Sequence, residues 1–180
     1  MKTIKKHVSL KGITPIMFDR YAGNNEEQLP PMQKAYYSEK KTLVFPSLNI
    51  ISFLSSQNTE SAPQRVSGKK WKTVAKAALS FVQIDPFEVP ILRNGKSVNE
   101  QDLTIVRHVA RMKKGNLSVP NPKERPVLGL PWNIDFNITL LEINELSEII
   151  LKKLLDVGGL AIGLGTFRGV FGKFVVDKWE

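Results

Sequence analysis

Strict alternation of apolar and polar residues marks the clearest strand in the chain. Its apolar members are Trp132, Ile134, Phe136, Ile138 and Leu140, separated by Asn133, Asp135, Asn137 and Thr139. A period of two places one face of a strand in the core and the other in polar surroundings. The same period predicts a first strand with Ile4, Val8 and Leu10 on its buried face, a hairpin that turns at Asn94–Gly95, and a strand over Ile105–Met112.

Helical spacing of apolar residues predicts two longer helices, over Lys69–Leu79 and Asn144–Val157. In the second helix, Asn144 is the predicted N-cap and Gly158 the residue that ends it. A short helix is predicted over Asn49–Leu54. Strands combined with a few helices in this way indicate an α+β fold.

Polar and proline-rich stretches predict the connections between these elements. Gly12–Gln33 is predicted to be mostly loop, Thr42–Leu48 an extended edge segment, and Ser55–Gly68 a mobile polar loop. Lys113–Pro131 contains several prolines and basic residues, so it is predicted to be an extended, basic, semi-rigid loop.

Half of the twelve glycines fall in one stretch near the end of the chain, Gly158–Val176, which reads GGLAIGLGTFRGVFGKFVV. The predicted order there is helix, glycine-rich loop and basic strand. A dinucleotide-binding fingerprint needs strand, glycine loop and helix, and a P-loop needs a Ser or Thr after its lysine. The fingerprint is absent because Arg168 stands at its third glycine position and the flanking elements are reversed, and the P-loop is absent because Phe174 follows Lys173.

Two interpretations of this loop remain open. The glycines could permit positive φ and close backbone approach where a helix packs on a sheet. Alternatively, loop amides together with Arg168 and Lys173 could hold the phosphates of a nucleic acid. The spacing alone slightly favours the first.

The pattern G-hydrophobic-G-x-x-R-G-x-x-G-basic-Phe-hydrophobic, which follows a helix, resembles the C-terminal glycine-rich loop of the RAMP superfamily. The opening LKGITPIMFDRY, Leu10–Tyr21, is similar to the first strand and loop of uncharacterised phage and prophage proteins with the same ending. RAMP proteins are RNA-binding ferredoxin-like proteins of CRISPR systems that hold or process crRNA. The resemblance implies an α+β, ferredoxin-like (RRM-like) fold, with helices on one face of an antiparallel sheet plus insertions. It also implies RNA as a partner.

Positive charge is concentrated in the middle of the chain. The net charge is +9, and between Arg65 and Arg125 thirteen Lys and Arg residues face five Asp and Glu residues. Such a block attracts a polyanion, although a solvated basic surface that only aids solubility is the alternative. We therefore predict one domain, residues 1–180, with a basic insertion region around 55–130. Its predicted nucleic-acid contacts are Gly163, Gly165, Arg168, Gly169, Lys173, Lys69, Lys72, Lys76, Arg107, Arg111, Lys113 and Lys114.

Other classes of function find little support in the sequence. The chain has no cysteine and no apolar run long enough to span a membrane, so we expect a cytoplasmic protein with no membrane partner. Histidine and carboxylate spacing predicts no metal site and no cofactor. Partners are expected to be single-stranded nucleic acid, with RNA preferred, and further copies or other subunits of a nucleoprotein complex.

Catalysis is the least favoured hypothesis. His7, Tyr21 and Arg168 could together supply the base, acid and cation of a metal-independent ribonuclease, but no motif surrounds either histidine. His108 falls on an apolar strand face, which favours a core histidine. The sequence therefore predicts a nucleic-acid-binding protein that is not an enzyme. The alternatives are a phage-borne protein that docks on a CRISPR or other nucleoprotein complex, or a small ribonuclease.

Overall fold

Ten strands and four α-helices are formed by residues 2–24 and 28–180, the part of the chain that this computed structural model describes. The strands are β1 (Lys2–Gly12), β2 (Ile16–Met17), β3 (Val44–Pro46), β4 (Val82–Asp85), β5 (Glu88–Arg93), β6 (Lys96–Ser97), β7 (Leu103–Lys114), β8 (Leu117–Leu128), β9 (Asn133–Glu142) and β10 (Phe174–Trp179). The helices are α1 (Ser47–Ser55), α2 (Ala62–Val66), α3 (Trp71–Phe81) and α4 (Glu148–Ala161).

The larger sheet is antiparallel and has the ferredoxin-like arrangement. Its strands lie in the order β10-β1-β9-β5-β3, with β4 also beside β9 and β6 beside β5. Because β4 and β5 follow one another along the same side of β9, they act as one interrupted strand. The order β1, α3, β4–β5, β9, α4, β10 is then the βαββαβ pattern of a ferredoxin-like fold. The predicted fold class is confirmed.

Two insertions separate these core elements. Residues 13–70 lie between β1 and α3 and contain β2, β3, α1 and α2. Residues 94–132 lie between β5 and β9 and contain β6 and the long hairpin β7–β8. The two insertions meet in a second sheet of order β2-β8-β7.

The core lies between the larger sheet and the helices. The alternating apolar residues of β9 are confirmed as buried: Ile134, Phe136, Ile138 and Leu140 are each at most 2% exposed. They form one cluster with Leu154 and other apolar residues of α4. Full burial of such a side chain contributes about 1.5–3 kcal/mol, so this alternation is a main source of stability.

α4 begins later than the sequence predicted. Its N-cap is Ser147, whose hydroxyl accepts a hydrogen bond from the amide of Ile150 at 3.4 Å. Asn144 instead lies in a tight turn, in which Ile143 and Leu146 exchange backbone hydrogen bonds of 3.2 and 3.1 Å. The predicted N-cap was wrong because this turn occupies the backbone that the first helical turn would have used.

α4 also ends later than predicted, since it continues through Gly158 and Gly159 to Ala161. A Cβ on Gly158 would lie 2.6 Å from the Cβ of Ala62 in α2, and a Cβ on Gly159 would lie 2.6 Å from the ring of Phe174. These glycines permit close packing inside a helix. They do not end it.

The predicted mobile loop over Ser55–Gly68 is wrong, because it contains α2. Ala62 and Ser61 are fully buried, and the Ser61 hydroxyl donates to the carbonyl of Ser56 at 2.7 Å. The polar composition of this stretch concealed its contact with the small residues of α4.

The predicted loop over Lys113–Pro131 is also wrong, because most of it is β8, which pairs with β7 along its whole length. Pro120, Pro122 and Pro126 occupy alternate positions of β8. The Pro126 carbonyl accepts from the amide of Phe18, on the side away from β7. Proline is tolerated at these positions because an N–H there would point away from β7 and would not have bonded to it.

Smaller predictions were mostly correct. The hairpin turn at Asn94–Gly95 is present, with φ of 52° and 75°. The extended edge segment contains β3, and the short helix is α1.

In α3, however, Leu79 is 61% exposed whereas Ala77 is buried, so the buried face is rotated from the predicted one. Within the predicted first loop, residues 25–27 lie outside the described residues, as does the side chain of Met112 in β7.

The close packing of α4 predicts that Gly158→Ala is destabilising. Alanine has a higher helix propensity than glycine by about 1 kcal/mol. Nevertheless, the added methyl would overlap Ala62, and such overpacking costs about 1–3 kcal/mol. We expect a net loss in the free energy of unfolding, measured by urea denaturation.

Gly129→Ala is the matched control, because a Cβ there would meet nothing within 4 Å. Its effect should be close to zero. A Gly158→Ala protein at least as stable as the parent would contradict the packing described for α2 and α4.

Candidate nucleic-acid interface

The glycine loop between α4 and β10 is folded tightly against the segment around β2. Gly163, Gly165, Gly169 and Gly172 all have positive φ, between 72° and 86°. A Cβ on Gly172 would lie 1.8 Å from the carbonyl oxygen of Leu164. A Cβ on Gly165 would lie 2.4 Å from the carbonyl oxygen of Met17. Gly163, Gly165 and Gly172 therefore serve close backbone approach, whereas a Cβ on Gly169 would meet nothing within 4 Å and only its positive φ favours glycine.

Many loop amides donate hydrogen bonds inside the protein. Thr166 donates to the Met17 carbonyl at 2.9 Å, and Gly172 donates to the Pro15 carbonyl at 2.7 Å. Further internal donors are the amides of Gly163, Leu164, Gly169, Phe171 and Lys173. This geometry favours the packing interpretation for the glycines. Because these amides are already bonded within the protein, a ligand would have to be bound by the side chains of the loop.

Arg168 is half-buried and holds the loop to the segment before α2. Its guanidinium donates to the carbonyl of Glu60, and its Nε donates to the carbonyl of Gly165 at 3.4 Å. Burial lowers the pKa of Arg168, while the charge of Glu60 opposes that shift. Lys173 fixes the loop through its backbone carbonyl, which accepts from the amide of Ile13 at 2.8 Å.

The β7–β8 hairpin carries several of the predicted cations on one face. Arg107, Arg111 and Lys113 alternate with the polar or apolar residues of the opposite face and are exposed. Ile105 and Val109 share this face and are 39% and 61% exposed. We call the exposed face defined by these five residues the hairpin face. Lys114 lies on the opposite side of β7.

The lysines of the α3 region are placed elsewhere. Lys69 lies in a short 3-10 turn before the helix, and Lys72 and Lys76 lie on exposed positions of α3. The Lys72 ammonium lies 5.6 Å from the ring centroid of Trp71. α3 packs against α1 and α2, whereas the hairpin packs against β2 and the short turn Pro31–Lys34, so the two predicted groups belong to different parts of the fold.

A buried polar cluster that sequence reasoning missed lies at the base of the hairpin. Arg125 of β8 is 8% exposed, and its Nε and Nη2 donate to Oδ2 of Asp19 at 2.9 and 2.5 Å. Its Nη1 lies 3.0 Å from Nε2 of His108. Lys34 is 6% exposed and donates to the carbonyl of Glu124 at 2.7 Å. Burial lowers the pKa of Lys34, which Asp19 partly offsets.

The ionisation of His108 is set by this cluster. Because arginine can only donate, Nε2 of His108 accepts and the neutral ring carries its proton on Nδ1. Nδ1 is buried without a hydrogen-bond partner among the described residues. The Phe167 ring of the glycine loop lies 5.2 Å away, between centroids. Burial, and then the charge of Arg125, lower the pKa of His108. The predicted satisfied core histidine is wrong, because the His108 ring is half-buried and, among the described residues, only its Nε2 has a hydrogen-bond partner.

His7 lies on the polar side of the larger sheet, where its Nδ1 is 3.3 Å from Oδ1 of Asn137. The hydrogen bonds of Arg168 go to Glu60 and Gly165 instead. No described contact joins His7 to Arg168, so the hypothetical ribonuclease set is not assembled. No group of three metal-ligating side chains was found among the described residues, and no helix within them is long and apolar enough to cross a membrane.

Comparison with known proteins identifies the fold but no family. No protein-family model matches the chain, and no curated protein matches it. A chain in the "Cryo-EM structure of the Type III-B Cmr-beta bound to cognate target RNA" is similar, with a TM-score of 0.52 and 13% identity. The similarity covers 99% of this chain and 60% of that one. At this identity the similarity shows a shared fold and nothing more.

The environment of His108 predicts how stability depends on pH. Its pKa lies below the ordinary value of 6.5 in the folded protein, so the unfolded chain binds a proton first as the pH falls below 6.5. The free energy of unfolding should therefore fall as the pH is lowered through about 6.5, by at most about 1.4 kcal/mol per pH unit from this group. His108→Gln should flatten that decline in urea titrations.

His7→Gln is the matched control, because it removes the exposed histidine and leaves His108 in place. As the pH is lowered, the free energy of unfolding of His7→Gln should fall more steeply than that of His108→Gln. If His108→Gln kept the full pH dependence of the parent, another group would be responsible.

Proposed function

We propose that the protein binds single-stranded RNA through the hairpin face and thereby associates with a nucleoprotein complex. The observation that carries this proposal is the exposure of Arg107, Arg111 and Lys113 along one face of a long, sparsely buried hairpin. The strong positive charge between Arg65 and Arg125 supports it. So does a chain of the same fold in a structure bound to cognate target RNA.

The hairpin face offers the two kinds of contact that a single strand requires. Successive same-face residues of a strand lie about 6.6–6.8 Å apart, so the cations form a row that can follow a sugar–phosphate backbone. Arginine can make bidentate contacts to phosphate, whereas lysine acts as a point charge. Val109, exposed between Arg107 and Arg111, and Ile105, exposed at the end of the row, can contact the faces of unpaired bases.

The other predicted cations have different parts in this proposal. Lys114, on the opposite side of β7, and Lys173, at the end of the glycine loop, lie outside the hairpin face and could contact phosphates of a longer strand. The α3 lysines, Lys69, Lys72 and Lys76, form a second basic surface that a longer strand could reach. Gly163, Gly165 and Gly169 contribute by fixing the loop that carries Arg168.

A second candidate function is docking on another protein of a nucleoprotein complex. The exposed apolar residues of the hairpin favour it, since Val109 is 61% and Leu117 71% exposed. Exposed apolar groups rimmed by charge are also typical of protein interfaces. RNA titration separates the two functions.

The proposal predicts that the hairpin cations determine affinity and its salt dependence. The triple variant Arg107→Ala, Arg111→Ala, Lys113→Ala should bind a labelled single-stranded RNA far more weakly. Since three phosphate contacts are lost, the slope of log K against log salt should fall by about 2 units. Fluorescence anisotropy between about 50 and 200 mM salt measures both quantities.

Lys178→Ala is the control, because it removes an exposed cation from β10 and not from the hairpin. Its affinity should stay close to that of the parent. Absence of RNA binding by the parent at low salt would refute the proposed function and favour docking on a protein.

A further inference from the structure

The outer edge of β7 is a long row of backbone groups that no neighbouring strand covers. β7 has twelve residues and lies at the end of the second sheet, where it pairs only with β8. The strands at the ends of the larger sheet are shorter, since β10 has six residues and β3 has three. An uncovered edge presents N–H and C=O groups with which another strand can pair. In the described chain, β7 is the longest strand that ends a sheet.

The pairing register shows which backbone groups of β7 point outward. In an antiparallel pair, opposite residues alternate between those that exchange both hydrogen bonds and those that exchange none. The Pro126 carbonyl accepts from the amide of Phe18 at 3.0 Å, on the side of β8 away from β7, and so does the nearby Glu124 carbonyl from Lys34 at 2.7 Å. Even-numbered residues of β8 therefore point away from β7. Their opposite residues in β7 point away from β8, and these are Ile105, Arg107, Val109, Arg111 and Lys113.

The two outer edges of the hairpin differ in their protection. Pro120, Pro122 and Pro126 stand at outward-facing positions of β8 and have no N–H with which to pair. The outward carbonyls of Glu124 and Pro126 already accept hydrogen bonds. By contrast, β7 contains no proline, and within the described residues no backbone hydrogen bond joins its outward groups to another segment. Only the edge of β7 is open along its length.

The charges beside this open edge determine which partner fits it. Arg107, Arg111 and Lys113 are exposed on the hairpin face, at the same positions whose backbone groups point outward. None of the three takes part in an ion pair within the described residues. The facing row of β8 contains one carboxylate, Glu124, opposite Arg107. Opposite charges on facing residues stabilise strand pairing, whereas like charges weaken it.

A second copy of this chain is a poor match for the edge. Residues that face each other across two strands lie on the same face of a sheet. A second β7 would therefore add another three cations to the hairpin face, and the two sets would repel each other. A strand with carboxylates at alternate positions would instead be attracted.

We infer that the open edge of β7 binds an extended acidic segment of a partner protein, which adds to the hairpin as a further strand. Carboxylates at alternate positions of that segment face Arg107, Arg111 and Lys113. Apolar residues face Ile105 and Val109, which are 39% and 61% exposed. The outward N–H and C=O groups of β7 bond to the backbone of the segment. This inference goes beyond the proposed function and does not depend on RNA binding.

The test uses blocked nine-residue peptides, which match the length of Ile105–Lys113, and measures binding by fluorescence anisotropy at low salt. The peptide ETETVTETV, when it runs antiparallel to β7, places its glutamates opposite the three cations and its valines opposite Val109 and Ile105. The charge control is KTKTVTKTV, in which lysine replaces each glutamate. It should bind at least about tenfold more weakly, and equal affinity of the two peptides would overturn the inference.

A third peptide separates strand pairing from attraction between charges alone. It is ETETVTETV with methylated backbone nitrogens at the central valine and at the glutamates two positions before and after it. These nitrogens donate to β7 in the paired strand, so methylation removes three donors and keeps every charge. Its affinity should be about tenfold lower or less. An N-methylated peptide that binds as tightly as the unmodified one would overturn the inference.

Changes in β7 locate the peptide on the edge. Val109→Pro removes an outward donor and no bond to β8, as Pro122 directly opposite already does, and should weaken binding of ETETVTETV about tenfold. Val109→Ala keeps that donor, so it is the matched control and should bind more tightly than Val109→Pro. In the parent, the peptide should slow hydrogen exchange of the Arg107, Val109 and Arg111 amides. The exchange and the N-methylated peptide are measured on the parent, so they do not depend on the folding of Val109→Pro.

Other occupants of the edge give different results. A parent protein that sediments as a dimer, with the dimer lost in Val109→Pro, would assign the edge to a second copy and overturn the acidic partner. Absence of ETETVTETV binding at low salt would also overturn it. Titration of single-stranded RNA in parallel keeps the two proposals apart. RNA binding without peptide binding would leave only the proposed function standing, and peptide binding without RNA binding would leave only this inference.

Discussion

The placement of the hairpin depends on one buried ion pair, between Arg125 in β8 and Asp19 after β2. Arg125 is 8% exposed, and both of its bonds to Asp19 are at most 2.9 Å long. Removing one partner of a buried pair costs about 3–5 kcal/mol, because the other charge is left uncompensated. His108 and Lys34 pack around this pair. Together with the pairing of β2 with β8, this cluster fixes the orientation of the basic hairpin at its base.

The same short segment that supplies Asp19 also holds the glycine loop. Pro15 and Met17 accept hydrogen bonds from Gly172 and Thr166 of that loop. The loop and the hairpin are thus both held by residues 13–19, immediately after the first core strand. In this arrangement the glycines allow the loop to pack tightly, and the side chains around them are the groups that can contact a ligand.

The sequence predicted the fold where one physical signal dominated. Period-two alternation predicted the first and ninth strands correctly, because burial of one apolar face is the main contribution to their stability. Prediction from the sequence failed where contacts between residues far apart in the chain determine the local structure. Gly158 stays helical because it packs against Ala62. The Asp19–Arg125 pair joins residues 106 positions apart, and no local sequence pattern predicts it. The cations of β7 could be found from charge alone, whereas the cluster of Asp19, Arg125 and His108 could not.

Photo-crosslinking is the most direct test of where RNA lies on this protein. A single-stranded RNA that carries 4-thiouridine would be crosslinked to the protein, and the modified peptides would be identified by mass spectrometry. The account predicts that crosslinks fall mainly on β7 and β8, with a smaller number on the glycine loop around Phe167. Crosslinks confined to α3 or to the polar face of the larger sheet around His7 would contradict it.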